Sequence, residues 1–378
     1  MNAIKNISSL SISEIGKKRI IVTGGGTGGH IFPAIAIAKA IKTADSGWEI
    51  LFVGAKGKME MEKVPQAGFD IVGISIAGFN RTAFWKNWKL PFQLLNSFRE
   101  VSALFNQFRP IAVIGVGGYA SFPVMRYAQF KGIDTYLHES NSFAGKSNIL
   151  LGKRAKSIFV ATAGMEAFFP PQRIIITGNP VRPEIETNVF PREEALRTFG
   201  LKDGLPTVLV MGGSLGARSI NDAISKNLSL LQSKVQLIWQ TGKNNAEQYA
   251  AVAGLYPNVY VNPFIYQMDA AYAAADIIVS RSGAMTVAEV CLAAKAAILI
   301  PFPQAAEDHQ TANARYLTDR KAALLLADAK AASELIPLIL QLADNTALRK
   351  ELGMAAGRLA VKNAAQKIAQ NILSNTNA

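Results

Sequence analysis

Cysteine is almost missing. Cys291 is the single thiol in 378 residues, which excludes an internal disulfide, a multi-thiolate zinc site and an iron–sulfur cluster and points to a reducing, cytoplasmic compartment. Long apolar runs are missing too. Nowhere do about 18 apolar residues pass without a charge, since even Ala293 to Pro303 is broken by Lys295, so no transmembrane helix is expected. The first 19 residues lack the apolar run of a secretory signal and place Lys17, Lys18 and Arg19 after the weakly apolar segment rather than before it, so no export is expected. No Asp-x-Asp occurs, which removes the usual metal clamp of one class of sugar-nucleotide enzymes; neither a metal nor a cofactor is expected. Acidic residues are scarce, 27 Asp and Glu against 40 Lys and Arg.

The length suits two domains of about 180 residues each, and 49% hydrophobic residues against 18% charged ones exclude a largely disordered chain. The basic excess is not spread evenly. Residues 1–183 hold 22 Lys and Arg against 10 Asp and Glu, whereas residues 184–378 hold 18 against 17. A half that basic implies an anionic partner: nucleic acid, an acidic membrane surface or a phosphorylated substrate.

Short β-branched runs alternate with helical segments: Arg19 to Thr23, Glu49 to Gly54, Ala112 to Gly117, Arg173 to Gly178, Thr207 to Gly213, Val235 to Gly242, Asp276 to Ser280 and Ala297 to Pro301. Continuous apolar strands separated by helices predict buried parallel sheets, hence an α/β fold. A strand, a glycine-rich turn and a helix occur at 19–44 and again at 207–231, so each half begins its own doubly wound sheet. Asn179 to Pro191 carries three prolines and no periodicity and reads as a linker. The expected domains are therefore 1–185, 186–350, and a C-terminal helical segment, 351–378, packing back on the first.

Gly24 to His30 (GGGTGGH) contains G-x-G-x-x-G after a strand, yet the second strand ends in Val53-Gly54-Ala55-Lys56 without the acidic residue that a nicotinamide ribose requires. A Walker A loop fails as well, because His30 stands where its Lys belongs. A glycine turn opening a helix still suits a pyrophosphate. The three histidines, His30, His138 and His309, all lie in polar or glycine-rich settings, and one of them is a candidate base. Ser280 to Gly283 ends a strand before a helix whose first amides face an anion, while Thr286 to Glu289 also fits a T-x-x-E capping box. Glu307, Asp308, His309, Gln310 and Asn313 gather hydrogen-bonding groups after a strand, which suits a sugar.

Together the runs GGGTGGHIFPAIAIA (from Gly24), GVGGYASFP (Gly115), HESNSFAGKSN (His138), TGNPVR (Thr177), GGSLGAR (Gly212), SRSGAMTVAEV (Ser280) and HQTAN (His309) closely resemble the MurG family. These enzymes add N-acetylglucosamine to the lipid-linked peptidoglycan precursor. The resemblance, from about residue 19 to the C-terminus, implies a GT-B glycosyltransferase of two Rossmann-like domains with parallel sheets facing a central cleft. It implies that Arg182 and the backbone of Ile265 approach uracil and that Glu289 takes the ribose. Ser214 and the amides of Ala284, Met285 and Thr286 would meet the diphosphate, and Val287 and Ala288 would belong to the same UDP-N-acetylglucosamine site. Asn141 and Gln310 would hold the sugar hydroxyls, with Thr27, Gly28 and Gly29 completing the donor site, while His30, Tyr119 and Glu139 would serve the acceptor. Two positions depart from the family pattern. Ser140 stands where the family usually has Gln, and His309 where a Gln often precedes the residue matching Gln310.

The implied reaction is inverting transfer of N-acetylglucosamine from UDP-N-acetylglucosamine to the C4 hydroxyl of undecaprenyl-pyrophosphoryl-muramyl-pentapeptide, at the cytoplasmic face of the inner membrane, with cell-wall synthesis proteins as possible partners. Two rivals are a UDP-sugar epimerase of the same fold and a non-enzymatic nucleotide-sugar-binding protein. A nucleic-acid partner is disfavoured because the basic residues form no short Lys/Arg run or recognisable module. Phe84, Trp85, Lys86, Trp88 and Lys89 combine rings and cations in a way that suits an anionic headgroup layer. The following stripe of Leu94, Leu95, Phe98, Val101, Phe105 and Phe108 has the spacing of a helix with one core-facing side.

Overall fold

The computed structural model describes Lys5 and residues 18–76, 90–187, 190–213 and 215–376. Phe84, Trp85, Lys86, Trp88, Lys89 and Ser214 therefore lie outside the described residues. The chain divides into two compact units, one made of Met1–Val181 with Asn363–Ala378, the other of Arg182–Lys362.

The first unit is built on β1 (Arg19–Thr23), β2 (Glu49–Ala55), β3 (Asp70–Ile74), β4 (Ala112–Gly115), β5 (Asp134–Glu139), β6 (Ser157–Val160) and β7 (Ile174–Ile176). They form one parallel sheet in the order β3-β2-β1-β4-β5-β6-β7. A parallel strand is covered on both faces, so its side chains alternate between two cores rather than between core and water. Ile20 and Val22 enter one core with Ile31, Ile37 and Ile41 of the helix Gly28–Ala44. Ile21 and Val113 enter the other with Val124 and Met125 of the helix Ser121–Phe130. From the helix Leu90–Phe108, Val101, Leu104 and Phe105 join that second core. The apolar face is narrower than the spacing predicts, because Leu95 is 53% exposed.

The second unit repeats the plan with β8 (Thr207–Met211), β9 (Gln236–Gln240), β10 (Val259–Asn262), β11 (Ile277–Ser280), β12 (Ala296–Leu299) and β13 (Leu324–Leu325), ordered β10-β9-β8-β11-β12-β13 and all parallel. Val208 and Val210 share a core with Ile220 and Ile224 of the helix Arg218–Ser225. Leu209 and Met211 face the opposite core with Val287 and Val290 of the helix Ala284–Ala293.

Two boundaries differ from the sequence reading. The crossing into the second unit falls at Val181 and Arg182 rather than near 185, because Ile185 is seated in the second unit's core beside Leu196 and Tyr272. The returning segment begins at Asn363 rather than 351. The helix Thr346–Arg358 belongs to the second unit, where Leu352 and Ala356 are buried. Only the helix Ala364–Asn375 packs on Gly28–Ala44, through Ile368, Ala369 and Ile372.

In both units the order reverses beside the first strand. β1 and β4 send their helices to opposite faces, as do β8 and β11, and such a switch point leaves a crevice at the carboxyl ends of the strands. Residues 24–29 and 116–119 border it in the first unit, 212, 213, 215–217 and 281–284 in the second. The two turns of the first unit nearly touch: at Gly118, φ +83°, a β-carbon would overlap the Gly25 carbonyl oxygen. Gly118→Ala should therefore lower stability by about 2–4 kcal/mol, combining left-handed strain with a backbone clash. Gly57→Ala, at φ +71° with open space around it, should lose only about 1 kcal/mol. Guanidinium unfolding compares the two, and equal losses would show that the close approach adds nothing.

Candidate active site

In the first unit the glycine turn rests on a buried carboxylate. Glu60 is 1% exposed, and its Oε2 accepts the Gly26 N–H at 3.0 Å while its Oε1 accepts the Ala55 N–H at 3.0 Å. The turn has no space for a side chain at Gly25, where a β-carbon would strike that carboxylate. Beyond the turn, Thr27 Oγ1 and His30 Nδ1 lie 3.2 Å apart, and the half-buried His30 ring lies against Gly117, φ +97°. In the tautomer in which Nδ1–H donates to Thr27 Oγ1, Nε2 carries the lone pair that a base requires. The Tyr119 ring borders Gly26. Burial first, and the Glu60 carboxylate second, raise its phenol above the usual value, so it keeps its proton at neutral pH.

At the end of β5, His138 and Glu139 are both buried. Burial pushes the His138 imidazole down to about 4, assisted by His30 and opposed by the Gly178 carbonyl 3.5 Å from Nε2. His138 is thus neutral at pH 7 and sits beside the buried Ser140, whose Oγ is 3.4 Å from Nδ1. Glu139 spends both oxygens on its own loop. Oε1 accepts the Asn141 N–H (3.0 Å) and Nδ2 (3.2 Å), and Oε2 accepts the Gly145 N–H (3.2 Å) and Asn148 Nδ2 (2.8 Å). Burial raises its carboxyl despite these four donors. The group is built to hold the loop 139–148 and, with it, Asn141.

In the second unit the helix Ala284–Ala293 starts from Gly283, so Thr286 is its third residue and the capping-box reading is corrected. Glu289 points into the core instead of back to the helix start: Tyr272 OH donates to its Oε2 at 2.9 Å, and Arg182 Nη2 stands 3.8 Å from its Oε1. Burial pushes the Glu289 carboxyl up, with Arg182 and then Tyr272 opposing. The Val287 N–H makes the first bond of the helix, to the Gly283 carbonyl at 3.0 Å, and helix geometry gives the amides of Met285 and Thr286 no acceptor within the helix itself. That turn is tied to the helix His309–Thr318: Ser282 Oγ donates to the Gln310 carbonyl (2.8 Å), and Asn313 Nδ2 to the Ser282 carbonyl (3.1 Å). Gln310 Oε1 accepts the Phe302 N–H at 2.9 Å, which turns its amide nitrogen outward as a donor. His309 Nδ1 lies 2.6 Å from the Ala306 carbonyl, a local bond that closes the turn before the helix. Ile265 gives its N–H to Gln240 Oε1 at 3.0 Å, leaving its carbonyl as the group a ligand can use. Beside it a pocket of roughly 300 Å³ is lined by Arg182, Glu184, Ile185, Tyr266, Met268 and Asp269.

Comparison with known proteins decides what this frame is. The glycosyltransferase family 28 N-terminal domain matches residues 20–160 and the C-terminal domain of the same family matches residues 207–372. The chain belongs to glycosyltransferase family 28. Among family 28 relatives, the UDP-N-acetylglucosamine–N-acetylmuramyl-(pentapeptide) pyrophosphoryl-undecaprenol N-acetylglucosamine transferase of Bacteroides fragilis is 46% identical over 94% of this chain and 95% of its own. That of Porphyromonas gingivalis is 48% identical over the same shares. A crystal structure of Acinetobacter baumannii MurG superposes with a TM-score of 0.77 at 30% identity, covering 94% of this chain and 99% of that one. The family 28 fold, two parallel-sheet Rossmann-like units of GT-B type, agrees with the sequence reading.

Within this family 28 chain the first unit gathers Thr27, Gly28, Gly29, His30 and Tyr119 at one switch point, with Glu139 and Asn141 at the end of β5. In the second, Gln310 is tied to the turn before the helix Ala284–Ala293, Arg182 stands by Glu289 on that helix, and Ile265 is held by Gln240. Sequence reasoning missed the roles of Glu60, Tyr272 and Gln240, which reach partners 34, 17 and 25 residues away, Gly26, Glu289 and Ile265; no local motif announces them.

The buried His138 gives a pH test. Below pH 6.5 the unfolded chain takes up a proton that the folded chain refuses until about pH 4, so this stability is present above 6.5 and lost as pH falls toward 4. Between about pH 7.5 and about pH 4.5 the wild type should lose about 2–3 kcal/mol more than His138→Gln. Urea unfolding at several pH values checks this, and a constant gap would contradict it.

Proposed function

We propose that this chain transfers N-acetylglucosamine, with inversion, from UDP-N-acetylglucosamine to the C4 hydroxyl of undecaprenyl-pyrophosphoryl-N-acetylmuramyl-pentapeptide, the step from lipid I to lipid II in peptidoglycan synthesis. The observation that carries this reading is 46–48% identity, over 94% of the chain, to transferases named for that reaction. The epimerase and binding-protein alternatives have no comparable support.

On this reading the second unit holds the donor. Arg182 and the Ile265 carbonyl face uracil, Glu289 accepts from the ribose hydroxyls, and Ser214 with the amides of Ala284, Met285 and Thr286 meets the diphosphate, with Val287 and Ala288 continuing that binding turn. Asn141 and Gln310 hold the sugar hydroxyls, and Thr27, Gly28 and Gly29 add backbone from the first unit. His30 Nε2 takes the proton of the C4 hydroxyl as its oxygen attacks the anomeric carbon and the bond to the UDP oxygen breaks. The negative charge left on UDP falls on the helix N-terminus, where oriented amides stabilise it without reorganising. Tyr119 serves the acceptor as a neutral hydroxyl, and Glu139 contributes by holding Asn141 in place.

Incubating the protein with labelled UDP-N-acetylglucosamine and a soluble lipid-linked muramyl acceptor should release UDP and form the β-linked disaccharide together. His30→Ala should lower turnover by about two to four orders of magnitude with UDP binding intact. Release of UDP without the disaccharide, or a near-normal rate in the variant, would refute the reaction or the base respectively.

The acceptor's lipid also requires the enzyme to reach a bilayer. Among the described residues no helix is long and apolar enough to cross a membrane, and the proposal is peripheral attachment at the cytoplasmic face of the inner membrane through Phe84, Trp85, Lys86, Trp88 and Lys89. Phe92 and Leu95, 69% and 53% exposed at the start of the following helix, extend the same apolar character. Binding to anionic but not neutral liposomes should be salt-sensitive. Combining Trp85→Ala, Lys86→Glu and Lys89→Glu should weaken it while sparing activity on a short-chain acceptor, at about 1 kcal/mol for each Lys near the surface. Vesicle binding like the parent's would place that segment elsewhere.

A further inference from the structure

Tyr272 is 1% exposed, lies on the helix Met268–Ala274, and has one polar atom. That hydroxyl donates to Glu289 Oε2 at 2.9 Å. A buried phenol next to a carboxylate holds its proton firmly, and burial followed by Glu289 raises Tyr272 well above the usual range. The bond therefore has a fixed sense: the phenol donates and Oε2 accepts. The other oxygen, Oε1, is the one turned toward Arg182, at 3.8 Å, beyond hydrogen-bond distance. A carboxylate held at one oxygen, with the guanidinium beyond hydrogen-bond distance of the other, can receive a diol without first reorienting.

We infer that Tyr272 is a positioning residue that sets ribose specificity by pinning Oε2 of Glu289, so that Oε1 faces the donor's 2′- and 3′-hydroxyls. The inference rests on the ribose role proposed for Glu289. Without the phenol hydroxyl, Oε2 has no donor inside the core. The carboxylate then gains most by turning to pair closely with Arg182, and that pairing competes with the diol.

Calorimetric titration of the full chain with UDP, 2′-deoxy-UDP and 3′-deoxy-UDP tests this, using the wild type, Tyr272→Phe, Glu289→Ala and the double variant. The wild type should prefer UDP over the deoxynucleotides by roughly ten- to hundred-fold, the range for losing a hydrogen bond to a charged group. Tyr272→Phe should shrink that preference by about ten-fold, and in the Glu289→Ala background it should shrink it no further, because the phenol acts only through the carboxylate. Loosened packing alone would weaken all three ligands alike and would add to the effect of Glu289→Ala. Retention of the full preference in Tyr272→Phe, or additive losses in the double variant, would overturn the role of Tyr272. Absence of any preference in the wild type, or its persistence in Glu289→Ala, would overturn the ribose assignment of Glu289 and the inference with it.

Discussion

Everything proposed for this chain depends on one property of a doubly wound parallel sheet: beside the first strand, neighbouring chains leave for opposite faces. β1 and β4 diverge in the first unit, β8 and β11 in the second. The carboxyl ends of those strands therefore carry turns with no helix lying over them, and the helices that follow begin there with amides that have no partner in their own ladder. Glycine is needed where two such turns approach each other, as at Gly25 and Gly118. The same crowding recurs in the second unit, where a β-carbon at Gly216, φ +85°, would overlap the Thr241 carbonyl oxygen.

Among the described residues three carboxylates are buried, Glu60, Glu139 and Glu289, and they are satisfied to different degrees. Removing a carboxylate from water costs several kcal/mol unless donors replace the solvent. Glu139 has four donors and Glu60 two backbone amides. Glu289 has one phenol, with a guanidinium short of hydrogen-bonding distance. The first two are complete within the protein and stiffen the loops they hold. The third has spare accepting capacity next to Arg182, which lines a pocket, and that is why a diol suits Glu289 better than either of the others.

Much of the sheet was legible because buried parallel strands are apolar on both faces: RIIVT, EILFVG and TVLVM declare themselves by composition alone. The strands that escaped notice are short or carry polar ends. β5 reads DTYLHE, and its His138 and Glu139 look like loop chemistry until the register with β6 places them in the sheet. β13 is two residues long. In the site, residues inside a contiguous motif were reachable through the resemblance those motifs bear to the family, while those acting across the chain were not. Glu60, two positions from the exposed Glu62 on one helix, is a surface acid by any local rule and becomes buried only because the glycine turn lies on it. Glu289 fitted a capping box three residues from Thr286; Tyr272, on a different helix, claims its side chain instead.

The helix Ala364–Asn375 has a bearing on how the molecule is made. Ile368, Ala369 and Ile372 fill part of the same core as Ile20 and Val22, and Tyr136 OH lies 3.0 Å from Thr376 Oγ1. Because synthesis runs from the N-terminus, the sheet that holds His30 waits for its last wall until the whole of the second unit has left the ribosome. A nascent chain halted anywhere before Asn363 presents an open apolar face on Gly28–Ala44, so the half of the molecule made first finishes folding only after the half made second has been synthesised.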